Sequence, residues 1–306
     1  MRLILGDCLE KLQNIEDNSV DLVLCDPPYG KIKGFNFKHG KDKERNLWDS
    51  VINTRELFKE LLRVVKYKGQ VILFSQEPYT SHLRSQSLNG FSFCYPMVYV
   101  KNQFGNPLMS NKAMLNYFED LSLWVKDYDV DMQSPLRCYF REVAQRLDLN
   151  MGKVNKIFNH RKYEHTFYFN SVQFELCNEQ LYKAFCDKFD LYKYDFYKSY
   201  DELKQMQEAK YKTFNLGNKR HLSNVLHFDK PVKPVHPTQK PVLLLIHLIN
   251  TFSNEGDTVL DFAMGSGSTG EACIYTNRKF IGIEKDCNYF EIAKNRLHFF
   301  TKSVEY

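Results

Sequence analysis

Short apolar segments alternate with amphipathic segments through the first third of the chain. The amphipathic segments repeat their apolar residues at helical spacing, whereas the apolar ones are short and rich in branched residues. This alternation predicts a parallel sheet covered by helices. The predicted strands are 2–5, 20–25, 70–74, 93–100 and 120–125, and the predicted helices are 7–13, 54–67 and 78–87.

The last third returns to the same alternation after a different middle segment. It predicts a helix over 238–251, a strand over 258–262, a helix ending at 276, a strand over 279–283 and a closing helix over 288–299. A strand, a glycine-rich turn and a helix normally begin a nucleotide-binding sheet, yet here they lie close to the end of the sequence. The other strands must then come from the first third. The predicted fold class is therefore α/β, a circularly permuted Rossmann-like sheet.

The middle of the chain has few strand-like segments and carries Tyr, Phe and Lys at helical spacing. This change predicts a separate, mainly helical lobe that is inserted between the two halves of the sheet. The expected domains are 1–127, the first part of the sheet domain, 128–220, the inserted lobe, and 221–306, the glycine-rich part of the sheet domain.

Residues 144–159 of this lobe have the spacing of a helix-turn-helix. Ala144, Leu147, Leu149, Val154 and Ile157 would form its core, and Asn150 would cap the second helix. An amphipathic helical hairpin without any role in DNA binding gives the same pattern, so both readings stay open. In the DNA-binding reading, the outward-facing residues are Lys153, Asn155, Lys156 and Asn159.

Composition narrows the class of protein. The 306 residues are 43% apolar and carry 42 Lys+Arg against 37 Asp+Glu, which is typical of a globular chain with a small basic surplus. No apolar run is long enough to cross a membrane and no signal peptide is evident, so we expect a soluble, cytoplasmic protein with no membrane partner. The eight cysteines contain no Cys-x-x-Cys pair, and no metal site is predicted.

A glycine-rich turn follows the strand over 258–262. Gly265 and Gly267 allow the backbone to approach a ligand closely, and the helix that follows offers free N–H groups to it. Glu284, at the end of the next strand, is placed to accept hydrogen bonds from ribose hydroxyls. With Gly270, the same glycines also satisfy the G-x-G-x-x-G pattern of dinucleotide-binding enzymes, so a nicotinamide-dependent oxidoreductase is a rival interpretation.

The second candidate site is Asp26-Pro27-Pro28-Tyr29, directly after the buried strand over 20–25. Two prolines stop the strand and fix the direction of the neighbouring carboxylate and ring. A carboxylate and a backbone carbonyl held side by side can accept both hydrogens of an amino group, and an aromatic ring can stack on the base that bears it. The alternative is a purely structural turn at a strand end.

Four motifs together resemble the amino-group DNA methyltransferases of the permuted beta arrangement. The tetrapeptide at 26–29 is similar to the catalytic motif of that family, and 261–267 to its S-adenosylmethionine loop. Segments 236–241 and 5–10 match two further family motifs, and all four occur in the family order. The chain departs from the family at Phe262-Ala263, where Pro-Phe is usual, which puts one aromatic contact with the cofactor in doubt.

The resemblance implies S-adenosylmethionine as cofactor, DNA as partner and base flipping during the reaction. It assigns catalysis to Asp26, Pro27, Pro28 and Tyr29. It also implies a phosphate contact for Lys101, and Trp48 is a candidate for the wall of the base pocket. The cofactor-binding residues implied are Asp7, Thr238, Lys240, Asp261, Gly265, Gly267 and Glu284.

The expected reaction is methyl transfer to adenine N6, because family members with Asp at the first motif position mostly methylate adenine. No proline is followed by cysteine, so the Pro-Cys nucleophile of cytosine-C5 enzymes is absent. Cytosine N4 is the nearest alternative. Methylation of RNA or of a protein amide, and a DNA-binding regulator without catalysis, are more distant ones. A homodimer and a partner restriction endonuclease are left open.

Overall fold

The computed structural model describes residues 1–30, 51–86, 90–105, 110–126, 134–171, 173–208, 214–232, 234–235 and 238–303. By their contacts these residues form two compact units. Unit 1 comprises Met1–Lys126 and Thr213–Tyr306, and unit 2 comprises Asp127–Lys212. The sequence places the second boundary at 220, whereas the contacts divide the chain at 212.

Unit 1 is built on an eight-stranded sheet in the order β1-β8-β7-β2-β3-β5-β4-β6. In sheet order, the neighbouring strands β1, β8, β7, β2 and β3 pair in parallel. Strand β5 is antiparallel to both β3 and β4, and β6 is parallel to β4. The strands are β1 (Arg2–Leu5), β2 (Val20–Cys25), β3 (Val65–Ser75), β4 (Phe91–Gly105), β5 (Asn116–Lys126), β6 (Val225–His227), β7 (Thr258–Asp261) and β8 (Lys279–Glu284).

This order confirms the permuted α/β fold. The C-terminal strands β7 and β8 lie between the N-terminal strands β1 and β2, so the halves of the chain interleave to complete one sheet. The helices of unit 1 are α1 (Cys8–Leu12), α2 (Thr54–Val64), α3 (Tyr79–Ser85), α9 (Val242–Phe252), α10 (Ser268–Tyr275) and α11 (Cys287–Ser303).

Strand β2 shows how the sheet is buried on both faces. Leu22 and Leu24 belong to a core that includes residues of α9, α10 and α11, whereas Val23 and Cys25 belong to a second core with α1, α2 and α3. Alternate side chains of a strand point to opposite faces, so a near-continuous apolar run is required.

Two of the helix boundaries that differ from the sequence prediction show why the limits move. Helix α2 ends at Val64 rather than 67, because the chain becomes extended at Val65, which pairs with Val20 of β2. Helix α9 begins at Val242, four residues later than the predicted start at 238, and Pro241 is its N-cap residue. Both errors lie at helix ends, where strand pairing or a proline overrides local periodicity.

Unit 2 is helical in its described part. Its elements are α4 (Pro135–Arg146), α5 (Met151–Phe158), α6 (Glu164–Phe167), α7 (Glu179–Phe189), a 3₁₀ turn (Leu191–Lys193) and α8 (Tyr200–Glu208). They enclose a third core rich in aromatic rings, in which the hydroxyls of Tyr139 and Tyr182 lie 2.7 Å apart. No helix in the described ranges is long and apolar enough to span a membrane.

Candidate active site

The two predicted motifs lie at neighbouring strand ends. Strands β2 and β7 pair in parallel through Leu22–Val259 and Val23–Leu260, so both run in the same direction. Asp26 follows the end of β2, and Asp261 is the last residue of β7. The fold therefore brings the carboxyl end of the Asp-Pro-Pro-Tyr strand beside that of the glycine-rich turn, although 235 positions separate the two aspartates in the sequence.

The Asp26 carboxylate is buried and unevenly paired. Its Oδ2 accepts a hydrogen bond from Lys240 Nζ, whereas its Oδ1 is buried without a hydrogen-bond partner among the described residues. Burial raises the pKa of Asp26 to about 6, the Lys240 ammonium acts in the opposite direction, and the Glu119 carboxylate raises it further. The site thus holds an acceptor oxygen ready for a hydrogen-bond donor.

Lys240 contacts this carboxylate, and its charge also acts on Asp261 of the glycine-rich turn. Its Nζ contacts Asp26, lies 3.1 Å from Glu119 Oε2 and donates to the Thr238 carbonyl at 3.3 Å. Both carboxylates raise the pKa of Lys240, which opposes the effect of burial. The cofactor contact expected for Lys240 stays a prediction, and Thr238 contributes its carbonyl to the same ammonium.

Lys101 is placed differently from the predicted phosphate contact. Its side chain is 4% exposed, and its Nζ donates to Glu119 Oε1 at 3.1 Å. A buried ammonium that is paired with a carboxylate is unavailable to the DNA backbone, so this prediction is wrong for the conformation observed. Lysine on the end of an apolar strand pattern looks like a surface residue in sequence, and only the neighbouring strand supplies its partner.

Glu119 is the functional candidate that sequence reasoning missed. It lies in β5, paired with Tyr99 of β4, and joins Lys101 and Lys240. The two ammonium groups lower its pKa in spite of burial. The available signal was a charged residue two positions before the apolar segment 121–125, within a predicted sheet, where a buried charge requires a partner.

Tyr29 is half-buried and stacks on Tyr79, with ring centroids 5.9 Å apart and an interplanar angle of 24°. Pro27 is buried and Pro28 is half-buried. The motif therefore continues from β2 as a packed segment, and the ring of Tyr29, three residues after Asp26, is held by its stacking on Tyr79. Trp48 and the basic segment 31–45 lie outside the described residues.

The glycine-rich turn is held by carboxylates on both sides. Asp261 Oδ1 accepts from the Ala263 amide at 3.1 Å, and its Oδ2 accepts from Thr269 Oγ1 at 2.6 Å. Gly265 and Gly267 have φ of +51° and +80°, a region that favours glycine. Gly267 is also the N-cap residue of α10, so the turn delivers the chain directly into a helix start.

Glu284 connects this turn with the end of β1. Its Oε2 accepts from the Gly265 amide at 2.8 Å, its Oε1 accepts from the Asp286 amide at 2.8 Å, and its carbonyl accepts from the Gly6 amide at 2.8 Å. Each carboxylate oxygen can accept a second hydrogen bond. The three predicted cofactor segments at the ends of β1, β7 and β8 therefore lie in one place.

Asp7 caps helix α1 by accepting from the Leu9 amide at 3.0 Å, and it pairs with Lys285 at 3.0 Å. Burial acts to raise the pKa of Asp7, but the Lys285 ammonium and the backbone amides of Leu9 and Glu10 together lower it below its ordinary value. Phe262 is fully buried in the second core, so its ring does not replace the missing aromatic contact. His236 and Pro237 of the neighbouring motif lie outside the described residues.

A cavity of about 550 Å³ is lined in part by Lys101. It is lined by residues from the end of β4, the end of β6 and the start of α9, including Lys101, His227, Asp229 and Gln239. Sequence reasoning did not single out this cavity, because its walls come from three segments that are distant in the chain.

The predicted helix-turn-helix residues form α4, a turn and α5. Asn150 accepts from the Lys153 amide at 2.9 Å and caps α5, as expected, and Asp148 adopts a φ of +49°, the conformation for which glycine is usual at this turn. Ile157 is 41% exposed, so its predicted place in the core is wrong. A helix of eight residues turns this position away from the core that buries Val154.

The four predicted DNA-binding residues of unit 2 are not equally available. Lys156 and Asn159 are exposed, and Asn159 ends α5 in a left-handed conformation. Lys153 is exposed but donates to the Asp148 carboxylate at 2.6 Å. Asn155 is turned inward and donates to Glu164 at 3.0 Å, which contradicts its predicted outward position.

Comparison with known proteins places this geometry in a family. The sequence profile of the DNA methylase family matches residues 20–295. The Type II methyltransferase M.HpaI of Haemophilus parainfluenzae is 26% identical over 296 residues, which cover 97% of this chain and 74% of that protein. The DNA adenine methyltransferase YhdJ of Escherichia coli K12 is 26% identical over 295 residues, which cover 96% of this chain and 82% of that protein.

Solved structures share the fold. M1.HpyAVI, in a crystal structure of its complex with SAM, matches with a TM-score of 0.52 at 21% identity, over 97% of this chain and 99% of that one. The PvuII DNA methyltransferase, described as cytosine-N4-specific, matches with a TM-score of 0.51 at 12% identity, over 98% and 89%. Because the family profile covers most of the sequence, this chain belongs to the DNA methylase family of N6-adenine and N4-cytosine methyltransferases.

Proposed function

We propose that this DNA methyltransferase transfers the methyl group of S-adenosylmethionine to N6 of an adenine that is flipped out of the DNA. The observation that carries the proposal is the buried Oδ1 of Asp26, which has no hydrogen-bond partner in the described part of the chain and lies at the strand end beside the glycine-rich turn. An acceptor in this position can take a hydrogen bond from an amino group that has left its partner in the base pair. Base flipping supplies such an amino group.

Activation of the amine would come from the Asp-Pro-Pro-Tyr segment. The lone pair of an adenine amino group is delocalised into the ring, so the amine is a poor nucleophile. Hydrogen bonds from N6 to Asp26 Oδ1 and to the Pro27 carbonyl would localise that lone pair, and stacking on Tyr29 would hold the base. Holding both reactants in line is worth on the order of 7 to 11 kcal/mol.

The residues around the turn fit the cofactor. S-adenosylmethionine supplies an electrophilic methyl group on a sulfonium. Asp7 and Glu284 would bind its adenosine part, and the amides of the turn from Asp261 to Gly267 would approach the rest. The fit rests on the left-handed glycines and on the remaining acceptor capacity of Glu284. Thr238 is the remaining predicted contact.

The same carboxylate can take up the proton that the methylated amine releases. Asp26 ionises with a pKa of about 6, so near neutral pH it is charged and able to accept a proton. Lys240 holds the other oxygen, and the proton would therefore be received on Oδ1. A general base is effective when its pKa lies near the working pH.

Adenine is favoured over cytosine by two observations. The first motif position is Asp26, which in this family mostly accompanies adenine methylation. YhdJ, a relative that aligns over 96% of this chain, is named as a DNA adenine methyltransferase. Cytosine N4 is the alternative product, and the structural likeness to the PvuII enzyme concerns the fold.

Unit 2 is proposed to read the DNA sequence through α5. Lys156 and Asn159 supply exposed groups on this helix, and Lys153 could exchange the Asp148 carboxylate for a phosphate. A homodimer and a cognate restriction endonuclease stay predictions. Two of the relatives carry the name Type II methyltransferase, which is the reason to test whether this protein has a restriction endonuclease as its partner.

The test is transfer of label from methyl-tritiated S-adenosylmethionine to DNA, with Asp26→Ala as the inactive variant. The wild type is expected to label DNA and the variant to lose at least about a hundredfold in rate. Nucleoside digestion followed by mass spectrometry should give N6-methyladenine. N4-methylcytosine would refute the adenine assignment, and equal labelling by both proteins would refute the role of Asp26.

A further inference from the structure

Four buried charged side chains form a continuous chain inside unit 1. Lys101 contacts Glu119 at 3.1 Å, Glu119 contacts Lys240 at 3.1 Å, and Lys240 contacts Asp26. Lys101, Glu119 and Lys240 are 4%, 9% and 7% exposed. Two cations and two anions balance one another, and buried charges are tolerated only when they are paired in this way.

Three oxygens of the protein surround the Lys240 ammonium. They are Asp26 Oδ2, Glu119 Oε2 and the Thr238 carbonyl. The Phe74 ring lies 5.1 Å from the same nitrogen. This arrangement directs the ammonium toward the two carboxylates and the Thr238 carbonyl.

The two carboxylates in this series of ion pairs have unequal numbers of ammonium partners. Glu119 contacts two ammonium groups, which stabilise its charged form, whereas Asp26 contacts one ammonium that it shares with Glu119. One oxygen of Asp26 is therefore fixed by Lys240, and the other has no hydrogen-bond partner among the residues that the structure describes. The pairing orients the carboxylate and selects which oxygen faces an incoming donor.

We propose that Lys240 and Glu119 are positioning residues for the catalytic carboxylate: Lys240 holds Asp26 Oδ2 so that Oδ1 accepts from the target amine, and Glu119 holds Lys240. This inference rests on the proposed function of Asp26. It gives Lys240 a role in the reaction in place of the cofactor contact implied by the family resemblance. Lys101 fixes Glu119 from the far side.

The charged groups around Asp26 predict opposite effects for two substitutions. Lys240 lowers the pKa of Asp26, whereas Glu119 of β5 and Asp261 of β7 raise it, and Cys25 of β2 lies beside it as a thiol. Removing the Lys240 charge should therefore move the acid limb of activity to higher pH. Removing the Glu119 charge should move it to lower pH.

The experiment measures kcat/KM for DNA methylation against pH, together with the dissociation constant of S-adenosylmethionine by calorimetry. For Lys240→Met the acid limb is expected to rise by at least about one pH unit, as for loss of an opposite charge in contact. Glu119→Gln is expected to lower it. Lys240→Arg should return the limb toward the wild-type position, and cofactor affinity should change by less than about twofold in all three, which is below 0.5 kcal/mol.

Lys126→Met is the matched control. Lys126 is an equally buried lysine whose ammonium donates to Val65 O and Asn18 Oδ1, outside this chain of charges. It should reduce thermal stability without moving the pH limb. If Lys240→Met does not fold, the expected downward shift of the acid limb in Glu119→Gln still tests the inference.

Two results would overturn the inference. One is a tenfold or greater loss of cofactor affinity in Lys240→Met with an unmoved pH limb, about 1.4 kcal/mol of binding. The other is a shift of the limb in the same direction for Lys240→Met and Glu119→Gln. A wild-type protein that methylates no DNA would refute the proposed function instead, so the two failures are distinguishable.

Discussion

Replacing Asp26 by asparagine should stabilise the folded protein while it removes activity. Burial raises the pKa of Asp26 from 3.8 to about 6, so ionisation costs more free energy in the folded chain than in the unfolded one. The wild type therefore loses stability as the pH rises from the unfolded pKa through about 6. Asparagine has nearly the same shape and stays neutral, so it avoids this loss.

The magnitude follows from the pKa. Each pKa unit corresponds to about 1.36 kcal/mol, which gives about 3 kcal/mol in the free energy of unfolding well above pH 6 and about 1 kcal/mol near pH 4.5. The side chain is 14% exposed, so solvent screens little of this. Lys240 keeps its contact with Glu119, which also pairs with Lys101, and the pKa of about 6 for Asp26 already includes the attraction of Lys240 for its charge.

Thermal unfolding followed by circular dichroism over a pH series is the assay. For a chain of this length the full effect corresponds to a rise in Tm of roughly 5 °C at about pH 7.5, and a smaller rise in acid. Asp195→Asn, at a side chain that is 79% exposed, is the control and should change little. An Asp26→Asn variant that is less stable than the wild type near pH 7.5, or equally shifted at every pH, would show the reasoning to be wrong.

Activity should change in the opposite direction to stability. Lys240 donates to the oxygen at its side, so the amide nitrogen of asparagine would take the place of Oδ1. A donor would then face the donor of the target amine. We expect kcat to fall by about 10² to 10³, the usual cost of losing one oriented hydrogen bond at a reacting centre.

Three further predictions concern the same protein. In the wild type, kcat/KM should fall about tenfold per pH unit below about 6, because a proton on Asp26 Oδ1 removes the acceptor; a pH profile that is flat down to about 5 would contradict this. Gly267→Ala should cost about 1 to 2 kcal/mol in stability, since its φ is +80° and the new Cβ would lie 3.1 Å from Ala293 Cβ; chemical unfolding measures it, and weaker S-adenosylmethionine binding should accompany it. Lys153→Ala with Lys156→Ala should weaken DNA binding in a salt-dependent manner while cofactor affinity is kept; fluorescence anisotropy of labelled DNA measures it, and equal loss of both affinities would count against the role of unit 2.

The motifs were predictable because each depends on a short segment. Gly265 and Gly267 need left-handed backbone, Asn150 caps the helix that follows it, and Asp26 follows an apolar strand that must end at a proline. Local chemistry of this kind is written in neighbouring residues. The order of the two halves of the sheet also followed from the sequence, because one strand-turn-helix unit stood at the wrong end of the chain.

The misplaced residues share one property. Lys101, Lys240 and Asn155 carry polar groups whose partners lie in other elements, namely Glu119, Asp26 and Glu164. Sequence spacing gave them solvent-facing or ligand-facing roles, since an unpaired charge is rarely buried. Their partners could not be identified without the pairing of β4 with β5 and the position of the segment before α9.

The sequence by itself determined the fold class, the family motifs and the choice of Asp26 as the candidate acceptor for the target amine. Each of these depends on residue type and local spacing. Only the tertiary structure brought Lys240 and Glu119 to the Asp26 carboxylate and left one oxygen of Asp26 without a hydrogen-bond partner within the described ranges. These facts depend on which charges are buried together, and a buried charge is governed by neighbours in space, many of which are far away along the chain.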